Sequence, residues 1–303
     1  MDKNMRRFIK AGVVHFMAFP EVQKGYGPIA DTIEKIAQDE YFDVIEVGRI
    51  RDPLERERVK RIVELSHMEL CYAAMPNQKL NGVNINNSDE RRRKDAVRII
   101  KEGLDEAFEL GASGFSFMSG RFVPENLEEH YQALLRSTRE ICDYAETLGK
   151  MKISLEVFDF DVDNCSLIGP ASLAKRYGDD ICPLYPDFGL MVDLSHLPQL
   201  RETPLESLVP IKNHINHAHV GNCLISDKSS PAYGDKHPYF GFPGASNDVE
   251  EVVEYLRVLM KVGYLTEEKP RPLSVEVRPL LGESPWLVIA NAKRTLNRAW
   301  ALL

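Results

Sequence analysis

KISLEV (152–157), FGLMVD (188–193), HINHAHV (214–220) and PLSVEV (272–277) are the four stretches whose reading decides the fold. Each is short and nearly continuous in apolar character, as expected of a parallel strand covered on both faces. Each also carries an ionisable residue at or beside its C-terminal end: Glu156, Asp193, His219 and Glu276. Upstream, AGVVHFMAF (11–19), FDVIEVG (42–48), MELCYAAM (68–75) and SGFSFMS (113–119) read the same way. Segments of helical period alternate with them. In 126–148 apolar residues recur every three or four positions up to Gly149, and 89–110 repeats the pattern, with Ser88 as the expected N-cap and Gly111 just past the end. Further helices are predicted over 248–262 and 284–303. Eight strands alternating with about eight helices predict an α/β chain folded as a single (β/α)8 barrel over residues 1–303, since such barrels take about 250 residues. The surplus falls largely in GNCLISDKSSPAYGDKHPYFGFPGASN (221–247), a long loop after strand 7 that reads as a lid or wall.

The formal charge of −8 disfavours a nucleic-acid ligand, which needs a basic surface. The charge-rich stretches 49–61 and 90–95 mix signs and read as solvated helix faces. Five cysteines without CxxC spacing suggest a reduced, cytoplasmic protein. Residues 1–19 faintly imitate a signal peptide, but His15 and the lack of a cleavage pattern favour a first strand. No apolar run is long enough for a membrane span. Neither common glycine-rich phosphate loop follows a strand, so nucleotide binding is not expected.

If the four C-terminal strands are consecutive in a barrel, Glu156, Asp193, His219 and Glu276 meet at its C-terminal mouth, where such barrels build active sites. Three carboxylates and an imidazole suit one hard or borderline divalent cation, Mn2+ first, with Mg2+, Co2+ and Zn2+ behind it. Structural alternatives stand beside each assignment. Glu156 or Glu276 could sit in a buried ion pair, for example Glu276 with Arg278 or Lys152, Asp193 could cap a helix, and His196 could be a surface residue. Of the three histidines in HINHAHV, alternation sets His217 and His219 on one face and His214 on the other, with His219 nearest the strand end.

Glu156, the Asp193-x-x-His196 step, His219 and Glu276 resemble the metal pattern of the xylose isomerase-like TIM-barrel superfamily, which includes ketose 3-epimerases and endonuclease IV. The resemblance implies a metal-dependent sugar isomerase or epimerase in which Glu156 and Glu276 also exchange protons with the substrate. His196, Asp159 and His237 would assist catalysis, while His15, Glu46, Asp235 and Arg278 would bind substrate. The composite EVFD, DLSHL, HVGNC, AYGDKHPYFGFPG and VEVRP also resembles the α-subunits of C-glycoside deglycosidases. That likeness implies, as the alternative, a metal-dependent carbon-carbon lyase acting on 3-oxo-glycosides with a small partner subunit. Two departures bear on these expectations. VGNCLIS after His219 lacks the arginine by which ketose 3-epimerases grip their substrate, and AAMPN and FSFMSG lack the early histidines of the nuclease, although Asp235-x-His237 matches one of its pairs. An endonuclease IV-like nuclease and a non-catalytic sugar-binding barrel therefore rank behind. A small-molecule sugar or oxo-sugar is the expected ligand, with no membrane partner; relatives in this superfamily commonly form homo-oligomers.

Overall fold

The computed structural model describes residues 4–303. Eight parallel strands close into a barrel in chain order: β1 (Ile9–Val14), β2 (Val44–Val47), β3 (Glu69–Ala73), β4 (Gly114–Met118), β5 (Lys152–Glu156), β6 (Phe188–Asp193), β7 (Ile215–Gly221) and β8 (Arg271–Glu276). Closure is made by β8 on β1, in register from Ile9 opposite Arg271 to Val13 opposite Val275. Around and between the strands run α1 (His15–Ala18), α2 (Ile29–Ala37), α3 (Pro53–Ser66), α4 (Met75–Asn81), α5 (Glu90–Glu109), α6 (Leu127–Leu148), α7 (Ala171–Ile181), α8 (His196–Leu200), α9 (Pro204–Leu208), α10 (Val249–Lys261) and α11 (Pro285–Ala301). This is the expected (β/α)8 barrel.

The core lies between barrel and helices. Ile33 and Ile36 of α2, Ile100 and Leu104 of α5, Leu134 and Ile141 of α6, and Leu256 and Leu259 of α10 present one stripe each and are buried. Each such side chain contributes about 1.5–3 kcal/mol of burial free energy. On the inner surface, β1 gives way to β8 at Gly12, where a Cβ would run into the Ser274 hydroxyl. Small residues there let the barrel close over its polar interior.

Several local expectations are corrected. The first strand stops at Val14 because the chain coils into α1 at His15, and the third stops at Ala73 before α4. Asp89, not Ser88, caps α5, accepting the Arg92 N–H at 3.0 Å. Arg93, in the charged run at the start of α5, is buried rather than solvated. Its guanidinium binds Glu90, Glu140 and the Ser137 hydroxyl. Helix α10 opens at Asp248, whose capping box with Glu251 satisfies the first free N–H groups.

The long loop after β7 is a packed wall. Asn222 Oδ1 accepts the Cys223 and Asn247 N–H groups, and the Asn247 amide reaches back to the Gly221 carbonyl at 3.0 Å. Phe240 and Asn291 exchange a pair of hydrogen bonds that pins the loop to α11. All five cysteines are free thiols, and among the described residues no helix is long and apolar enough to cross a membrane.

Candidate functional site

Parallel strands of one barrel all point their C-terminal ends the same way, so Glu156, Asp193 and Glu276, the last residues of β5, β6 and β8, arrive at one mouth together with His219 of β7. All four are nearly excluded from solvent, at 1%, 1%, 8% and 1% exposure respectively. One donor atom each from Glu156, His219 and Glu276 lies within 4.8 Å of the other two, and the same holds for Asp193, His237 and Glu276, and for Glu156, Asp193 and His196. Among the described residues no lysine or arginine pairs with Glu156, Asp193 or Glu276, so the buried ion pairs with Lys152 and Arg278 do not form. Asp193 does turn the chain as well, accepting the Ser195 N–H at 3.1 Å and the Ser195 hydroxyl.

The two glutamates differ electrostatically. Burial raises the Glu156 carboxyl above its ordinary value. Burial acts on Glu276 too, but His237 and His219 outweigh it and hold that carboxyl below the usual range. Two imidazoles flank the pair. His196 sets Nε2 3.3 Å from Glu156 Oε1 and Nδ1 3.7 Å from Asp235 Oδ1, with its ring against Phe158. His237 sets Nε2 2.7 Å from Asp235 Oδ1 and 3.6 Å from Glu276 Oε1, and Nδ1 3.8 Å from Asp193 Oδ2. Burial alone would discharge both rings. Asp235 and Glu156 push His196 up to about 9, and Glu276 and Asp235 push His237 up to about 10. His237 approaches this closely because residue 221 is glycine: a Cβ there would stand 2.7 Å from His237 Nδ1 and 3.0 Å from Asp193 Oδ2.

Three expected contacts lie elsewhere. Glu46 does not line the cleft. Fully buried on β2, it holds His219 Nε2 at 3.0 Å and His217 Nε2 at 2.8 Å, so it supports the histidine from beneath and leaves Nδ1 to face Glu276. His15, where the strand gives way to α1, bonds the Thr32 hydroxyl at 2.7 Å and packs on Phe19, away from the cleft. Asp159 is wholly buried and accepts four backbone N–H groups of the loop that follows β5, so it organises that loop instead of meeting substrate. Asp235 and Arg278 do line the cleft, and His196 is buried behind Glu156 and Phe158, not at the surface. His214 lies outside the barrel on Asp179, opposite in sense to His217 and His219.

The cleft over these groups has a volume of about 550 Å³, and Phe16, Met75, Leu80, Met118 and Phe158 line it beside the polar residues. Sequence reading missed this apolar lining, together with Lys79, Asn164 and Ser195. They come mostly from short helices and irregular loops, and no motif marks them.

The donor chemistry fits one divalent cation. Glu156, Glu276 and the Nδ1 of His219, whose far nitrogen is held by Glu46, make one group of hard and borderline donors, and Asp193 adjoins it through the groups it makes with His237 and Glu276 and with Glu156 and His196. Uncompensated, that many buried acids would cost several kcal/mol.

Comparison with solved structures returns sugar epimerases and, among others, an AP endonuclease family 2 protein of Brucella melitensis at 16% identity, TM-score 0.64 and coverage of 95% and 98%. A D-tagatose 3-epimerase-like protein is 20% identical, with TM-score 0.70 and 97% of this chain and 99% of that one covered. The D-psicose 3-epimerase of Clostridium cellulolyticum H10 is 15% identical, with TM-score 0.68 and coverage of 97% and 98%. The 3-keto-D-glucoside 4-epimerase of E. coli is 15% identical, with TM-score 0.66 and coverage of 97% and 99%. At these identities the likeness is one of fold. Among curated proteins, sequence comparison finds no match. The family model described as xylose isomerase-like TIM barrel matches residues 33–278, from α2 through the last strand and its glutamate. With that match over most of its length, the chain belongs to the xylose isomerase-like TIM-barrel family.

Proposed function

We propose that this protein removes a proton beside a carbonyl of a sugar or oxo-sugar, with isomerisation or epimerisation as the outcome, in a centre where Glu156, Asp193, His219 and Glu276 hold one divalent cation, Mn2+ by preference. The observation that carries the reading is the convergence of these four buried groups beneath a cleft of about 550 Å³. When bound, the cation supplies Lewis acidity to the substrate carbonyl and acidifies the neighbouring C–H. Glu276, kept ionised by His237 and His219, takes the carbon-bound proton on a carboxylate oxygen. Glu156 delivers a proton to carbon, and the two carboxyls exchange roles in the reverse direction. His196 and His237, whose rings flank Glu156 and Glu276, donate N–H to the oxygen on which negative charge develops. Arg278 orients hydroxyls from the wall of the cleft, and Glu46 fixes the ring of His219. The enzyme acts as a single domain in the cytoplasm, in keeping with its free thiols.

A second reading shares the first step. Elimination of an aglycone from a 3-oxo-glycoside is favoured by the apolar part of the cleft, since Phe16, Met75, Met118 and Phe158 offer a surface that a free sugar leaves unused. A partner subunit belongs to this reading.

The test begins with elemental analysis. About one Mn, Co or Zn per chain, lost in Glu156→Gln and His219→Ala, is the expected result. Metal-dependent deuterium exchange into a ketose or oxo-sugar, absent in Glu276→Gln, would then establish the chemistry. Normal metal loading with neither exchange nor elimination across a broad sugar panel would overturn it.

A further inference from the structure

Asp235 lies against both imidazoles of the centre, 2.7 Å from His237 Nε2 but 3.7 Å from His196 Nδ1, whose hydrogen-bond partner is the Gln199 amide at 3.4 Å, yet no strand positions it. It lies in the irregular loop well past β7, where a carboxylate is free to turn unless something directs it. Its two oxygens have separate duties. Oδ1 faces His237 Nε2 at 2.7 Å and His196 Nδ1 at 3.7 Å. Oδ2 accepts the side-chain amide of Asn164 at 2.8 Å and lies 3.4 Å from Lys79 Nζ.

Asn164 is held in turn. The Asp159 carboxylate accepts the N–H groups of Val162, Asp163, Asn164 and Cys165 at 2.8, 2.9, 2.9 and 3.2 Å, and the Asn164 amide at 3.3 Å. Neighbouring Asp163 ties the same two loops together, its Oδ2 accepting the Asp235 N–H at 2.9 Å and the Lys236 ammonium at 2.7 Å. Gly234 permits that approach: its φ is +83°, and a Cβ would stand 2.7 Å from Asp163 Oδ2. A series of contacts thus runs from a wholly buried carboxylate after β5 to His237 in the loop after β7, with His196 of α8 beside it.

We infer that Asn164, anchored by Asp159, is a positioning residue: it fixes the rotation of the Asp235 carboxylate and so sets the direction in which His196 and His237 present their nitrogens to Glu156 and Glu276. Lys79 cannot substitute for it. An ammonium on a flexible stem is a point charge that attracts Oδ2 without orienting it, whereas a planar amide from a caged backbone specifies direction. The inference rests on the proposed proton-transfer function for its kinetic consequence, but not for its structural one.

The experiment uses full-length Asn164→Ala and Asn164→Asp. The first removes the amide, and the second keeps the four backbone bonds to Asp159 while setting a carboxylate against both Asp235 and Asp159. Two readouts are taken beside metal content and melting temperature. One is the 1H–15N imidazole spectrum of the zinc-loaded, diamagnetic protein, with His196 and His237 assigned by single substitutions. The other is kcat and KM for proton exchange with Mn2+. Removal of such outer contacts typically costs 10–100-fold, so kcat should fall by about that factor with KM little changed, more in Asn164→Asp than in Asn164→Ala. The His196 and His237 signals should shift while those of His130 and His214 stay in place. Unchanged His196 and His237 signals in both variants would overturn the inference, as would a loss of kcat no greater than the loss of metal or of folded protein. Failure of the wild type to exchange any sugar proton would refute the proposed function instead, and the imidazole spectra would still decide the role of Asn164.

Discussion

A methyl group added at residue 221 should damage the centre more than the fold. In Gly221→Ala the new Cβ would stand 2.7 Å from His237 Nδ1, 3.0 Å from Asp193 Oδ2 and 3.1 Å from the Glu276 carbonyl oxygen. Two of these atoms belong to groups of the proposed centre and the third is backbone, so none can retreat cheaply. Overpacking of this kind costs about 1–3 kcal/mol. For a chain of this length about 1 kcal/mol lowers Tm by roughly 2 °C, giving an expected loss of about 2–6 °C. The functional loss should be larger than that shift suggests, because Asp193 and His237 are displaced directly. The assay is thermal and urea denaturation beside metal titration, repeated in a His237→Ala background. Relief of the nearest contact should make Gly221→Ala less costly there, with a coupling of about 1 kcal/mol. Strict additivity, or normal stability and metal affinity in Gly221→Ala, would refute the reasoning that glycine is required for this approach.

Three further outcomes are expected. Chelation followed by Mn2+ at about 100 times its Kd should raise stability by about 2.7 kcal/mol, and a Tm that ignores the metal would count against a site among the buried carboxylates. Burial depresses His15 from 6.5 to about 3, so the unfolded chain binds the proton first; the stability this group contributes is present above pH 6.5 and is lost progressively as pH falls toward 3. Between pH 7 and pH 5 that loss is about 2 kcal/mol, and denaturation of His15→Gln at both values should show a flatter dependence than the wild type. Met118→Asp should weaken binding of aryl oxo-glycosides more than of free oxo-sugars in calorimetric titrations, and an equal effect on both would argue against the aglycone reading.

The barrel and the arrival of Glu156, Asp193, His219 and Glu276 at one mouth were legible because apolar runs and the residues near their ends are local patterns. What lay beyond reach depended on tertiary placement. Glu46 sits in a run that reads as any buried strand, and only barrel closure reveals that it lies under His219 instead of in the cleft. AGVVHFMAF is apolar throughout, so nothing in it separates the strand from the turn of helix at His15. Asp159 carries the same chemistry as a catalytic acid, and its true work appears only when four amide groups are seen around it. Lys79 of α4 meets Asn164 and Phe158 of the loop after β5 in the cleft, a convergence no spacing rule encodes.

The proposed ligands all come from β5 to β8, whereas Phe16, Met75, Leu80 and Met118 come from the first half of the chain, up to the end of β4. On the proposed reading the ligands thus come from one half of the polypeptide, while to the cleft the first half contributes wall only, shared with Phe158, Asp235 and Arg278 of the second. Randomising the connections between β1 and β5 offers a route to new substrate preferences that spares every donor atom. By the same division, a variant that trades one sugar for another should carry its substitutions early in the chain, and a variant that trades one metal for another should carry them late.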